Sequence, residues 1–392
     1  MGGRRLKLRK QSINKMKRYG NLYERVIALD NLRLADEKAR RGKTNSYGVK
    51  VHDRNRERNL RVLHEALRTK TFRTSRYDVF TIHEPKERII YRLPYYPDRI
   101  VHHAVMNVLE EIWTKTFTYN TYSCVKGRGI EGCARRVDRI IKSFEGGPLF
   151  CLKIDIRKFY PSIRHRVLRQ VVRRKIKDND LLWLLDEIIG SASMNDEGRP
   201  LTKAEKALQA PDDEHGLPIG NYLSQYLANL CLCYFMHWVN ERLADLVKES
   251  LGIAEKPRIA CTEYADDIVF YADSKDVLHE VLKLVRTQIE GGLALKIKDN
   301  WQIFPVAKNR QDKHGRALDY VGYKFFREQK LMRKVIKQNY CRQVSRLNKR
   351  EPELSDKAYK QALAPWLGWA RHSNSRHLLK TTIKPKYYGS IL

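Results

Sequence analysis

Ile259-Ala260-Cys261-Thr262-Glu263-Tyr264-Ala265-Asp266-Asp267-Ile268-Val269-Phe270-Tyr271-Ala272 sets two adjacent carboxylates between two runs of apolar residues. Over Glu263–Ala272 the pattern predicts two short strands about a turn. Surface turns are rich in Asp, so an Asp-Asp pair alone is weak evidence. The apolar flanks draw this pair towards a core, where neighbouring carboxylates repel unless a cation lies between them.

A third carboxylate stands 111 residues upstream of Asp266. The punctuation Gly146-Gly147-Pro148 precedes Leu149-Phe150-Cys151-Leu152-Lys153-Ile154-Asp155-Ile156, a strand pattern. Phe150, Leu152, Ile154 and Ile156 share one face; Cys151, Lys153 and Asp155 share the other. Taken alone, Asp155 is well explained as a strand-end residue capping the next turn. If the two segments pair, Asp155, Asp266 and Asp267 can converge on two divalent ions about 3.5–4 Å apart. Mg²⁺ suits such an all-oxygen site because it keeps positions for water and phosphate oxygens. One ion would lower the pKa of a 3′-hydroxyl and bring it to an α-phosphate. The other would take up charge on leaving pyrophosphate.

The 392 residues suit two or three domains, and a 42% hydrophobic and 10% aromatic content argues for packed cores rather than disorder. Lys and Arg number 77 against 45 acidic residues, a net charge of +32 that repels itself unless a polyanion neutralises it. Nucleic acid is favoured over anionic lipid, because the charge is clustered with no amphipathic anchor beside it. No segment approaches the roughly 18 uncharged apolar residues of a membrane span, and the N-terminus has no apolar run to act as a secretion signal. The expectation is a cytoplasmic protein with no membrane partner. Seven Cys without a Cys-x-x-Cys pair fit a reduced thiol set.

Residues 1–20 carry eight basic side chains and no acid, an arm able to lie along phosphates. Helical patterning runs through Tyr23–Leu34, Glu57–Leu67 and Arg99–Ile112. A hairpin with a basic tip is predicted within Tyr77–Leu93, a loop-rich insertion over 191–216, and a buried helix from Leu223 to about Leu246. Between Lys324 and Arg350 stand ten basic residues and one acid, followed by a helical C-terminal segment with Trp366 and Trp369.

Lys153-Ile154-Asp155-Ile156-Arg157-Lys158-Phe159-Tyr160-Pro161-Ser162-Ile163 resembles the first palm motif of reverse transcriptases, and Tyr264-Ala265-Asp266-Asp267 resembles their Y-x-D-D box. Between them, Gly216-Leu217-Pro218-Ile219-Gly220-Asn221-Tyr222-Leu223-Ser224-Gln225 resembles the family's nucleotide-contacting loop and helix. The resemblance implies an α+β right-hand polymerase whose antiparallel palm sheet carries catalytic Asp155, Asp266 and Asp267. A basic arm and fingers would occupy 1–148, palm 149–322 with 164–216 partly returning to the fingers, and a basic helical thumb 323–392.

The implied activity is RNA-directed DNA synthesis with template RNA, a cDNA primer and dNTPs. Two Mg²⁺ ions, replaceable by Mn²⁺, would be held by Asp155, Ile156, Asp266 and Asp267. Lys86 and Arg88, in Pro85–Ile90, match the segment that holds the incoming triphosphate, while solvation at a hairpin tip explains them as simply. Phe159, Tyr160, Ile219, Gly220 and Gln225 fall at nucleotide-contacting positions. Tyr160 matches the aromatic that excludes a ribose 2′-hydroxyl, a role compatible with core packing. Lys126 and Arg128, in Tyr122–Gly129, together with Tyr264, match template or primer contacts. Gly322 and Tyr323, in Asp319–Tyr323, match the turn that grips the primer end.

Ile219-Gly220 with Ser224-Gln225, the start Tyr19–Tyr23 and Trp366–Ala370 are similar to the reverse transcriptases of diversity-generating retroelements. That likeness implies cDNA mutated chiefly opposite adenines of a template-repeat RNA, diversification of a target gene, a small helical accessory variability protein forming an oligomer, and a structured element RNA. Ile219 stands where most relatives have Gln, and losing that polar contact should lower discrimination between right and wrong pairs; plain packing is the alternative. Two other readings stay open. One is a retron-like or phage-defence enzyme, against which the missing Val-Thr-Gly thumb signature counts. The other is an idle RNA-binding scaffold, against which three intact carboxylates count. Glu263 replaces a basic residue of many relatives, and Lys296 and Lys298 are both candidates for a proton donor to pyrophosphate.

Overall fold

The computed structural model describes residues 17–83, 87–195, 197–350, 354–385, 387 and 389. Lys86 and most of the basic arm lie outside the described residues. The chain divides into two compact units, residues 1–113 with 163–231 and residues 114–162 with 232–392.

In the first unit, the helical pattern predicted through Tyr23–Leu34 is interrupted. Ala28 takes ψ 133°, outside the helical region, so two helices form, Tyr23–Ile27 and Leu29–Ala39. β1 (Asp78–Ile82) and β2 (Arg88–Arg92) make the expected hairpin, with Asp78 opposite Arg92. Helices His165–Arg173 and Asn179–Gly190 follow. Asp178 caps the second by accepting from Leu181 N and also receives the main-chain N–H groups of Leu22 and Tyr23, which ties the two parts of the unit together. The insertion over 191–216 is not all loop: Thr202 and Glu205 close a capping box on the helix Lys203–Leu208.

The second unit contains β3 (Phe150–Asp155), β4 (Ala260–Tyr264), β5 (Asp267–Ala272) and β6 (Gln302–Pro305), an antiparallel sheet in the order β4-β5-β3-β6. A three-stranded sheet, β7 (Leu318–Tyr320), β8 (Tyr323–Phe325) and β9 (Lys330–Met332), joins the same core. There Cys151, Val269, Tyr271 and Phe304 pack with Val137 and Ile141 of the helix Gly129–Ser143 and with Tyr320, Tyr323 and Phe325. The C-terminal helices Lys334–Lys349, Asp356–Arg371 and Arg376–Thr382 enclose a separate core around Tyr340, Tyr359 and Leu363, and Trp369 packs against both. The long helix expected to reach Leu246 ends at Glu241; after Arg242 a new one runs Leu243–Leu251. This is an α+β fold with the predicted antiparallel sheet. No helix among the described residues is long and apolar enough to cross a membrane.

Candidate active site

The turn between β4 and β5 has two residues, Ala265 and Asp266. Ala265 adopts φ 56°, a left-handed conformation that costs a side-chain-bearing residue about 1 kcal/mol or more. The strained turn puts Asp267 at the first position of β5, where it pairs with Asp155 at the end of β3. Asp266 is held by its main chain, since Ile156 N donates to Asp266 O at 3.2 Å. The structure therefore brings together four residues that the sequence singled out from two distant segments: Asp155, Ile156, Asp266 and Asp267. Further main-chain bonds fix the neighbourhood. Lys298 N donates to Asp155 O at 2.9 Å, and the Tyr320 hydroxyl donates to Asp267 O at 3.1 Å.

Two lysines sit on the carboxylates. Lys298 Nζ donates to Asp155 Oδ2 at 2.7 Å. Lys153 Nζ lies 3.1 Å from Asp267 Oδ2 and donates to Asp319 O at 2.9 Å. The remaining oxygens, Asp155 Oδ1 and Asp267 Oδ1, are buried without a hydrogen-bond partner. Burial pushes the Asp267 carboxyl up to about 6; Lys153 opposes the shift, and Asp155 and Asp266 add to it. Asp155 and Asp266 thus both lie within electrostatic reach of Asp267.

Two buried carboxylate oxygens lacking donors, on paired strands, fit a hard divalent cation. Among the described residues no three His, Cys, Asp or Glu side chains already stand as a coordination shell. Asp155, Asp266 and Asp267 would hold such a cation, whose charge would compete with Lys153 and Lys298 for these carboxylates. Between the proton-donor candidates, geometry separates Lys298, bonded to Asp155, from Lys296, which is exposed and whose carbonyl accepts from Arg157 N. The signal for Lys153 as a partner of the carboxylates is its place two residues before Asp155, which puts both side chains on one strand face.

The other expected site residues divide by unit. In the second, Phe159 is buried, and the half-buried Tyr160 ring stands edge-on to it at 5.7 Å. Lys126 is exposed. Arg128 is half-buried, and its Nη1 donates to the carbonyls of Thr118 and Thr121. Tyr264 is half-buried against the core. Tyr323 is only 2% exposed and its ring packs 5.1 Å from the Trp369 ring. Gly322, at φ 84°, lies so close beneath Trp369 that a Cβ would clash at 2.4 Å. Glu263 is fully buried and accepts from Thr121 Oγ1 at 2.8 Å, and burial pushes its carboxyl up to about 8.

In the first unit, Ile219 O accepts from Tyr91 N at 2.9 Å, and Asn221 Nδ2 donates to Tyr91 O at 3.2 Å. Gly220, at φ 109°, approaches Ile90 so closely that a Cβ would meet its side chain at 3.1 Å. The loop bearing Ile219 is thereby clamped to the strand bearing Arg88, a pairing that no local pattern announces. Ile219 is half-buried, while Arg88 and Gln225 are exposed.

An antiparallel sheet with one carboxylate at a central strand end, opposite a hairpin carrying two more, defines a polymerase-type palm. The chain belongs to the reverse transcriptase (RNA-dependent DNA polymerase) family, whose model matches residues 83–304. It is 25% identical over 225 residues to Protein YkfC of Escherichia coli (strain K12), an alignment covering 52% of this chain and 56% of that protein, so the chain matches little more than half of that relative's length. Among solved structures, apo telomerase from Candida tropicalis matches with a TM-score of 0.44 at 11% identity, over 80% of this chain and 60% of that one.

Proposed function

We propose that the protein is an RNA-directed DNA polymerase that extends a primer on template RNA by two-metal nucleotidyl transfer. The observation that carries this reading is the register of Asp155 against Asp267, with Asp266 in the intervening turn, inside the span matched by the family. Bound Mg²⁺ or Mn²⁺ would supply the charge that activates a 3′-hydroxyl and stabilises departing pyrophosphate. Asp155, Asp266, Asp267 and the Ile156 segment would hold it. Lys298, which donates to Asp155, would hold a proton at Nζ near the departing group, and Tyr160 would exclude a ribose 2′-hydroxyl by bulk.

On this reading residues 1–148 serve as arm and fingers, 149–322 as palm and 323–392 as thumb, with part of 164–216 in the fingers. By the family resemblance, Lys86, Arg88, Phe159, Tyr160, Ile219, Gly220 and Gln225 would bind the nucleotide, and Lys126, Arg128, Tyr264, Gly322 and Tyr323 would serve the template and primer. The finer reading is mutagenic copying of a template-repeat RNA in a bacterial cytoplasm, with an accessory helical oligomer and a structured RNA. It is supported by the Ile219-Gly220 and Ser224-Gln225 pattern.

Primer extension on an RNA template with Mg²⁺ and dNTPs is the test. Losing several kcal/mol of charge stabilisation should lower the rate of Asp266→Ala by about 10³-fold or more. Equal rates for the two proteins would remove the catalytic assignment.

A further inference from the structure

On the flank of the sheet formed by β3 and β6 opens a cleft of about 400 Å³ whose lining includes the carboxylates Asp155 and Asp319, the cations Lys153, Arg316 and Arg333, and Gln302 and Phe304. Its cations are not equivalent. Lys153 is paired with Asp267, and Arg333 Nε donates to Asp319 Oδ1 at 2.7 Å. Arg316 has no carboxylate partner among the described residues. Its guanidinium carbon lies 3.9 Å from the centre of the Phe304 ring, and Nη2 donates to Gln302 Oε1 at 2.6 Å. A neutral amide and an aromatic face fix the direction of the group without neutralising it.

The backbone is held as firmly as the side chain. Arg316 N donates to Pro305 O at 3.1 Å, and Ala307 N donates to Arg316 O at 3.1 Å. Gly315 permits this approach: a Cβ there would meet Ala307 N and Pro305 O at 2.8 Å. A preset planar fork with spare N–H donors loses little entropy on binding an oxyanion and matches phosphate geometry.

We propose that this cleft is a phosphate site with Arg316 as its principal ligand, taking either an internucleotide phosphate of the strand being extended or the diphosphate released at the carboxylates. The assignment of those two sources rests on the polymerase reading; the phosphate chemistry rests on Arg316 and its supports.

Two binding measurements on the full chain separate the sources: fluorescence anisotropy with a labelled primer–template duplex across a salt series, and isothermal titration with inorganic pyrophosphate. Removing one phosphate ligand in Arg316→Ala should weaken one of these by about tenfold. A loss confined to the duplex, with a salt dependence shallower by about one contact, assigns the cleft to the strand. A loss confined to pyrophosphate assigns it to the free diphosphate. Arg316→Lys keeps the charge but not the fork and should restore only part of the affinity. Lys313→Ala, outside the cleft, should leave both affinities unchanged. Arg316→Ala with a wild-type unfolding temperature and both affinities intact would overturn the proposal. Neither readout needs turnover, so a chain that never extends a primer yet loses ligand on Arg316→Ala keeps the site and loses the polymerase reading.

Discussion

At the scale of single residues, the buried acids behave differently from one another. Glu263 lies next to the Tyr264 box yet is fully enclosed, with Oε1 unpartnered. Burial raises its pKa, and the Thr121 hydroxyl and the Arg128 charge only partly oppose that. The folded protein therefore keeps a proton that the unfolded chain, at an ordinary carboxylate value near 4.3, has already released. Stability should fall as pH rises through that window and level off above about 8. Glu263→Gln removes the term, so its unfolding temperature relative to wild type should climb between pH 5 and pH 8.5 by a few degrees, or about 2 kcal/mol. A pH-independent difference in thermal unfolding would show that the carboxyl is already ionised. Ile219 invites a different test. Half-buried and anchored through its carbonyl, it carries a branched side chain that cannot hydrogen-bond a base pair. Ile219→Gln should reduce misincorporation opposite adenine, by about tenfold if one positioned contact is regained. Sequencing of extension products checks this, and an unchanged error spectrum contradicts it.

At the scale of elements, the β4–β5 hairpin stores its strain at Ala265. Glycine occupies positive φ freely, so Ala265→Gly should stabilise the hairpin by about 0.5–1 kcal/mol after its larger chain entropy is counted. The same freedom loosens the placement of Asp266 and Asp267, so primer extension should not speed up. A rise in unfolding temperature with a flat or slower rate is the expected pair of results; a faster enzyme would contradict the link between the strained turn and carboxylate placement. This hairpin was legible in the sequence because alternation and turn chemistry are local signals. The breaks at Ala28 and Arg242 were not, because apolar spacing continues across both while the backbone leaves the helix. Register between distant strands also leaves no local trace. That is why Lys153 on Asp267, Ile219 on Tyr91 and Arg316 on Phe304 emerge only once the chain is folded. The packing of Tyr323 on Trp369 is of the same kind: the motif marks the turn, while the ring's burial depends on a helix far along the chain.

At the scale of the whole molecule, a net charge of +32 is the property most plainly written in the composition. It is the excess left after every acid is counted, and some of its carriers stand ready for phosphates: Arg88 in the first unit and Arg316 in the second have no carboxylate partner among the described residues, and Arg342, Arg346 and Lys349 stand exposed on the helix Lys334–Lys349. Such cations bind phosphates by releasing condensed counterions, and each contact to single-stranded RNA contributes about −0.7 to the slope of log affinity against log salt. Half a dozen contacts give a slope near −4, so raising salt from about 50 to 200 mM should weaken RNA binding by two orders of magnitude or more. Anisotropy titrations of the full chain with a labelled RNA measure the slope directly. An affinity indifferent to salt would mean that the basic side chains are solvated surface, and that whatever holds RNA to this protein is not its charge.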